Sequence, residues 1–157
     1  MKWILRKISW KNCLLLSIVV LMLLNVFSFY GLYTNKFYFF KFDNYIFPFL
    51  TIVHFIFLYA MWFKIKEGEI ADPQMRNLEY ALYVIFFIYV FRLIDTIFIL
   101  QTYNDFQSHL IPITFIPIGA LIVILYLLLL VLTLTAFKYR KDLIGPYNFD
   151  DISNQID

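Results

Sequence analysis

Cysteine and glycine are both scarce in this chain. Of its 157 residues, one is cysteine, Cys13, and four are glycine. A lone cysteine excludes an internal disulfide, a thiolate metal cluster and the paired-thiol chemistry of membrane thiol oxidoreductases. Four glycines can hardly build a phosphate-binding loop. So few glycines also make close helix contacts of the small-xxx-small kind scarce. We therefore expect helices that pack through bulky side chains, without close backbone approach.

Recognisable catalytic and cofactor-binding patterns are missing too. The chain has no G-x-S-x-G serine, no H-E-x-x-H and no paired catalytic aspartates. His109, the second of two histidines, falls far from the depth of His54, so bis-histidine haem ligation is not expected. The net charge of +2 is too small for a nucleic-acid interface. The sequence thus predicts no cofactor, metal or nucleic-acid partner, and it argues against an enzyme without excluding one.

Apolar residues, by contrast, make up 62% of the chain and give a mean hydropathy of +0.76. They form four runs, at about 13–33, 45–63, 78–100 and 111–137. Each is long enough for a helix to cross a ~30 Å hydrocarbon layer at about 1.5 Å per residue. The joints are short, so neighbouring helices should run antiparallel. The predicted fold is an all-α polytopic membrane protein, an antiparallel bundle of four transmembrane helices within residues 1–141.

The distribution of lysine and arginine predicts the orientation in the membrane. Ten of these residues fall in the N-terminal stretch, the second joint and the C-terminal stretch, against two in the first and third joints. Cytoplasmic loops carry the excess of positive charge. We therefore expect an integral protein of the cell (inner) membrane with both termini in the cytoplasm.

The polar joints carry local signals of structure. Asp72 and Pro73 are typical of a helix cap followed by the first helical residue, and Pro112 is expected to open the fourth helix in the same way. Pro117 and Gly119 should loosen its outer end. Glu79, near the cytoplasmic end of the third helix, is interpreted as an interfacial charge that reaches towards water.

Two segments outside the helices are candidates for contacts with other molecules. Residues 37–42, FYFFKF, are apolar but too short to span, and they are interpreted as an aromatic layer at the outer interface or as a docking patch for a partner. Residues 142–157 form a short acidic tail. Its aspartates either are solvated or dock a cytoplasmic partner, and the candidates are Asp142, Asp150 and Asp151.

Polar side chains at one membrane depth are the best functional clue. Asn25, His54 and Arg92 lie on three different helices, each roughly 12–14 Å below the outer surface at about 1.5 Å per residue. Arg92 and Asp95 are spaced i, i+3 and are expected to meet on one helix face. The predicted intramembrane polar site comprises Asn25, His54, Tyr89, Arg92, Asp95 and Thr96. It is either a buried network around a structural ion pair or a hydrated cavity, proton relay or ion path.

Two functions of different classes are compatible with these features. The first is a membrane subunit without catalytic chemistry that forms homo-oligomers or joins a larger membrane complex. The second is a subunit of a channel, pore or transporter whose polar path is lined by Asn25, His54, Arg92 and Asp95. The lipid bilayer is the surrounding partner in both.

Overall fold

The computed structural model describes residues 9–106 and 110–147. Within them lie four long helices: α1 (Trp10–Ser28), α2 (Ile46–Glu67), α3 (Pro73–Gln101) and α4 (Phe115–Leu143). Short 3-10 helices precede α2 (Phe42–Tyr45) and follow α3 (Thr102–Asp105). All four helices are long and apolar enough to cross a membrane. The prediction of four apolar helices is confirmed.

Polar residues fix several helix ends. The Ser9 side chain accepts a hydrogen bond from the N–H of Asn12 at 3.3 Å and caps α1. Asp72 Oδ1 accepts one from the N–H of Met75 at 2.7 Å, and Pro73 follows as the first residue of α3, as the sequence predicted. At the end of α2, Gly68 adopts φ = 69°, the left-handed conformation that favours glycine at helix termini.

The first joint is longer than predicted, because α1 ends at Ser28 and not near residue 33. The chain then forms a small antiparallel hairpin of β1 (Tyr30–Gly31) and β2 (Lys36–Phe37). In its turn, Asn35 has φ = 53° and accepts a hydrogen bond from the Tyr30 hydroxyl at 2.5 Å. Asparagine tolerates this backbone conformation better than most residues. The apolar run continues past the helix, so hydropathy alone could not locate its end.

The fourth helix begins and ends later than predicted, at 115–143 and not 111–137. Pro112 does not open it, since its carbonyl accepts the N–H of Phe115 at 3.0 Å in the preceding turn. Pro117 instead lies in the first turn, where a missing N–H costs nothing. At the other end, the polar stretch after Phe137 continues the helix, and the chain then places Ile144 in the core.

The helices pack through a shared apolar core. α4 makes extensive contacts with α1 and α3, while α2 contacts α1 and α3 and touches α4 little. The most deeply buried core side chains come from all four helices: Leu21, Phe57, Met61, Leu82 and Leu129. The outward faces are apolar as well, with exposed Leu15, Phe49, Phe87 and Ile124. Such surfaces suit hydrocarbon and not water.

Gly119 is a point of close contact between α3 and α4. A Cβ atom on this glycine would lie 2.3 Å from Leu100 Cδ2, so the Leu100 side chain rests directly on the Gly119 backbone. The contact is made by a bulky leucine side chain, but its partner is the backbone of a glycine. A single glycine suffices because only one side chain has to fit against it.

Candidate functional site

The hairpin, the end of α3 and the start of α4 meet at one end of the helices, and we call this end the hairpin end. The Tyr33 hydroxyl lies 2.7 Å from Thr102 Oγ1, and the Tyr33 and Phe115 rings are 5.2 Å apart. Tyr103 stacks on Phe115 from the other segment. The hairpin, the end of α3 and the start of α4 are thereby held together.

Below the hairpin lies a cavity of about 180 Å³, lined by the hairpin, the 3-10 helix that precedes α2, and all four long helices. Its apolar wall includes Leu24, Phe47 and Ile122. Its polar lining contains two carboxylates, one guanidinium, an amide and two small hydroxyls: Asp43, Asp95, Arg92, Asn44, Ser28 and Thr96. The cavity therefore brings charged and polar side chains together between the helices at the hairpin end.

Arg92 and Asp95 both line the cavity but do not form the predicted ion pair. Within residues 9–106 and 110–147, neither side chain takes part in an ion pair within 4.0 Å or in a hydrogen bond. Arg92 is half-buried and Asp95 is exposed. The i, i+3 spacing does place both side chains at the same cavity, which Thr96 also lines. The Thr96 hydroxyl donates a hydrogen bond to the Arg92 carbonyl at 2.8 Å. Charge separation, not pairing, characterises this part of α3.

His54 and Tyr89 form a separate pair in the core. Both are fully buried, and His54 Nδ1 lies 3.2 Å from the Tyr89 hydroxyl. Their rings stack at 5.9 Å. Among the described residues, His54 Nε2 has no hydrogen-bond partner. Phe47, which lines the cavity, packs against Tyr89 at 5.6 Å, but neither His54 nor Tyr89 lines the cavity itself.

Asn25 belongs to neither group. Its side-chain amide donates to the Leu21 carbonyl at 2.9 Å, one turn back along α1. Its Oδ1 is buried and has no partner in the described part of the chain. Instead, Ser28 is the residue of α1 with a hydroxyl at the cavity. The six predicted residues therefore divide into a cavity group, a core pair and one isolated amide.

Beside the cavity, β2 and the segment that leads from it into the 3-10 helix before α2 present an aromatic surface, formed by Phe37, Phe39, Phe40 and Phe42. Phe40 is 105% and Phe42 87% exposed, more than the large apolar residues along the helices. Phe37 and Phe39 stack at 6.0 Å.

Hydrogen bonds hold the backbone of the aromatic surface in place. The Asn44 side chain donates to the Tyr38 carbonyl at 2.8 Å, and the Tyr45 hydroxyl donates to the Phe39 carbonyl at 2.9 Å. Phe29, at the end of α1, packs against both Phe39 and Tyr45. The surface is thus fixed to the helices and not a loose loop.

At the opposite end, the interpretation of Glu79 as a water-facing interfacial charge is wrong. Glu79 is 1% exposed and binds Arg140 with two contacts, 2.6 Å from Nε to Oε2 and 2.7 Å from Nη2 to Oε1. The hydroxyls of Tyr83, at 2.8 Å, and Tyr147 also donate to this carboxylate. Burial, and then the hydrogen bond to Glu79, raises the pKa of Tyr147. The segment after α4 is therefore fastened to the helices.

Lys64 provides a second anchor at this end. It is buried, and its Nζ lies 2.8 Å from Asp72 Oδ2 and 3.3 Å from Glu69 Oε2, and donates to the Ile70 carbonyl at 3.1 Å. Burial alone would raise the pKa of Asp72, but the hydrogen bonds from Lys64 and from the Met75 N–H outweigh it and lower that pKa. These contacts fix the joint between α2 and α3.

The predicted docking aspartates are only partly within the described residues. Asp142 is exposed in the last turn of α4, whereas Asp150 and Asp151 lie outside the described ranges. Within those ranges, no three histidine, cysteine, aspartate or glutamate residues are placed to hold a metal ion.

Comparison of the chain with protein-family models, with curated proteins and with solved structures gives no match. Any functional assignment therefore depends on the residues of this chain alone.

Proposed function

We propose that this chain is a small integral membrane protein, an antiparallel four-helix bundle that acts by assembling with itself or with other membrane proteins and not by catalysis. The observation that carries this proposal is the aromatic surface. Four phenylalanines lie at the end of the hairpin and on the hydrogen-bonded segment after it, and Phe40 and Phe42 touch little of their own chain.

The antiparallel arrangement is supported by how contacts shift along two helices. Glu79, early in α3, contacts Arg140, late in α4. Leu100, at the end of α3, contacts Gly119, near the start of α4. Partners thus move towards the start of α4 as the chain advances along α3, which is the pattern of helices that run in opposite directions.

We place the protein in the cell (inner) membrane with both termini in the cytoplasm, on the strength of the lysine and arginine distribution. On a Cys13→Ser background, Thr34→Cys and Asn104→Cys should react with an impermeant thiol reagent in intact cells, and Gln74→Cys should react only after lysis. All three positions are exposed, so access to the reagent decides the outcome. Labelling of Gln74→Cys alone in intact cells would reverse the orientation.

A preorganised apolar surface is suited to binding because little ordering entropy remains to be lost. Exposed aromatic residues are also enriched at the centres of protein interfaces. Lys36 and Lys41 flank the phenylalanines and are exposed, so a partner with an apolar centre and an acidic rim would fit. The competing occupant is the headgroup layer of the bilayer, which also accommodates aromatic rings and lysine.

A photo-crosslinking phenylalanine analogue separates these two occupants. Incorporated at Phe40 in native membranes, it should give a protein adduct of defined mass. The matched control is Phe87, an exposed phenylalanine on the outer face of α3, which should give lipid adducts only. The double variant Phe40→Ser/Phe42→Ser should lose the assembly in native mass spectrometry while it stays in the membrane fraction. Lipid adducts alone at Phe40 would make this surface a membrane anchor and end the assembly proposal.

The channel or transporter function has less support. Its path requires Asn25, His54, Arg92 and Asp95 to line one space, yet Asn25 and His54 do not line the cavity. Beyond the cavity, His54 and Tyr89 are fully buried, and the Tyr89 ring packs against both His54 and Phe47. In one copy of the chain, a polar route through the described helices would have to break these contacts.

A further inference from the structure

Among the described residues, the charged side chains that line the cavity below the hairpin belong to no ion pair, and this observation points to a bound ligand. Arg92 and Asp95 carry opposite charges on adjacent turns of α3, and each lines the cavity without an ion pair in the described part of the chain. Charges between membrane-spanning helices are costly unless water, another residue or a bound molecule compensates them. The cavity supplies the room for such compensation.

We propose that the cavity binds a small aliphatic α-amino acid as a zwitterion, with its carboxylate on Arg92 and its ammonium on Asp95. The proposal does not depend on the assembly function, because it uses no residue of the aromatic surface. Arginine presents a planar fork of N–H donors that matches a carboxylate. An ammonium group donates hydrogen bonds in several directions, and Asp95 offers carboxylate oxygens to accept them.

The balance of charge disfavours simpler ligands. Asp43 also lines the cavity and belongs to no ion pair within residues 9–106 and 110–147. The two carboxylates repel inorganic anions such as phosphate, even though Arg92 could bind one. A plain cation would leave the Arg92 guanidinium unpaired beside it. A molecule that carries both charges gives Arg92 and Asp95 a partner each, and its ammonium also offsets the charge of Asp43.

The size and wall of the cavity limit the side chain of the ligand. A volume of about 180 Å³ holds only a small ligand. It is smaller than the ~300–1,000 Å³ of typical sites for larger ligands. Leu24, Phe47 and Ile122 form an apolar wall against which a short aliphatic side chain can pack. Glycine, alanine and leucine are therefore the probes of choice, and tryptophan is too large.

Binding to the purified full-length chain in lipid nanodiscs can be measured by titration calorimetry and by the shift of the thermal midpoint. We expect saturable binding of L-leucine, with none for L-tryptophan. L-leucine methyl ester lacks the carboxylate and N-acetyl-L-leucine lacks the ammonium. Each should bind at least about tenfold more weakly than leucine, because each loses a charged hydrogen bond.

Variants assign the two charges to residues. Arg92→Gln and Asp95→Asn should each weaken binding at least about tenfold. Lys36→Gln and Asp105→Asn remove the same charges at exposed positions that do not line the cavity, and should leave binding unchanged. The proposal is overturned if no zwitterion binds, or if the methyl ester binds as well as leucine, which would indicate a cation site. Should the variants fail to fold, the analogue series on the unaltered protein decides the matter by itself.

Discussion

Removing either Glu79 or Arg140 alone should lower the free energy of unfolding by about 3–5 kcal/mol, the cost of leaving a buried charge without its partner. Both side chains are nearly inaccessible and joined by two short contacts, and Glu79 also accepts hydrogen bonds from Tyr83 and Tyr147. Glu79→Met and Arg140→Met are suitable single changes, measured by unfolding in mixed detergent micelles. The effect should be the largest of any charge substitution in the described residues.

The double variant Glu79→Met/Arg140→Met tests whether the cost arises from the lost partner. It should recover most of the loss, because replacing both members of a buried pair with apolar residues is often close to neutral. Recovery will be incomplete, since the hydroxyls of Tyr83 and Tyr147 lose their acceptor. Glu67→Gln is the control, because the Lys66–Glu67 pair is exposed and 3.9 Å apart, and such pairs contribute little. A double variant as damaged as either single one would contradict direct pairing.

This ion pair shows why part of the structure could not be predicted from the sequence. Glu79 and Arg140 are 61 residues apart, and no local pattern connects them. The sequence predicts that Glu79 lies near a membrane boundary, where a charge ordinarily reaches water, and Arg140 is one of the positive charges of the C-terminal stretch. The sequence alone does not show which sides of α3 and α4 face each other. In the folded chain, those sides bring Glu79 and Arg140 together.

Local signals were more informative, but only where one short-range interaction decides the structure. Asp72 and Pro73 predicted the start of a helix because the cap involves residues three positions apart. The end of α1 was missed because Phe29 is as apolar as the helix, and the aromatic ring of Tyr30 also suits the end of a membrane span. The end of α4 was missed for the opposite reason, since hydropathy falls before the helical hydrogen bonds stop.

The arrangement of the predicted intramembrane polar site was only partly predictable, because the sequence shows local features and not the packing of the helices. Depth along a helix follows from residue counting, and counting places Asn25, His54 and Arg92 at a similar level. The direction of each side chain around its helix does not follow from depth. Asn25 turns to the backbone of α1 and His54 turns to Tyr89, so residues at a similar level end up in different surroundings. Asp43 and Asn44, from the 3-10 helix, join the cavity instead.

Gly119→Leu should lower the free energy of unfolding by about 1–3 kcal/mol, the usual cost of overpacking a well-filled contact. A single Cβ at this position already falls 2.3 Å from Leu100 Cδ2, and the next atoms of that side chain follow at 3.1 and 3.4 Å. The larger side chain must displace Leu100 or push α3 from α4. The readout is the same detergent unfolding measurement as for the ion pair.

Leu100→Ala supplies the compensating change. On its own it removes part of a half-buried side chain and should be mildly destabilising. Combined with Gly119→Leu, it vacates the space that the new side chain needs, so the two effects should be markedly non-additive, as expected for residues in contact. Ala120→Leu, on the exposed side of the same turn, is the matched control and should be tolerated in lipid. Strict additivity of the two changes, or equal damage at Ala120, would show that α3 and α4 do not meet at Gly119.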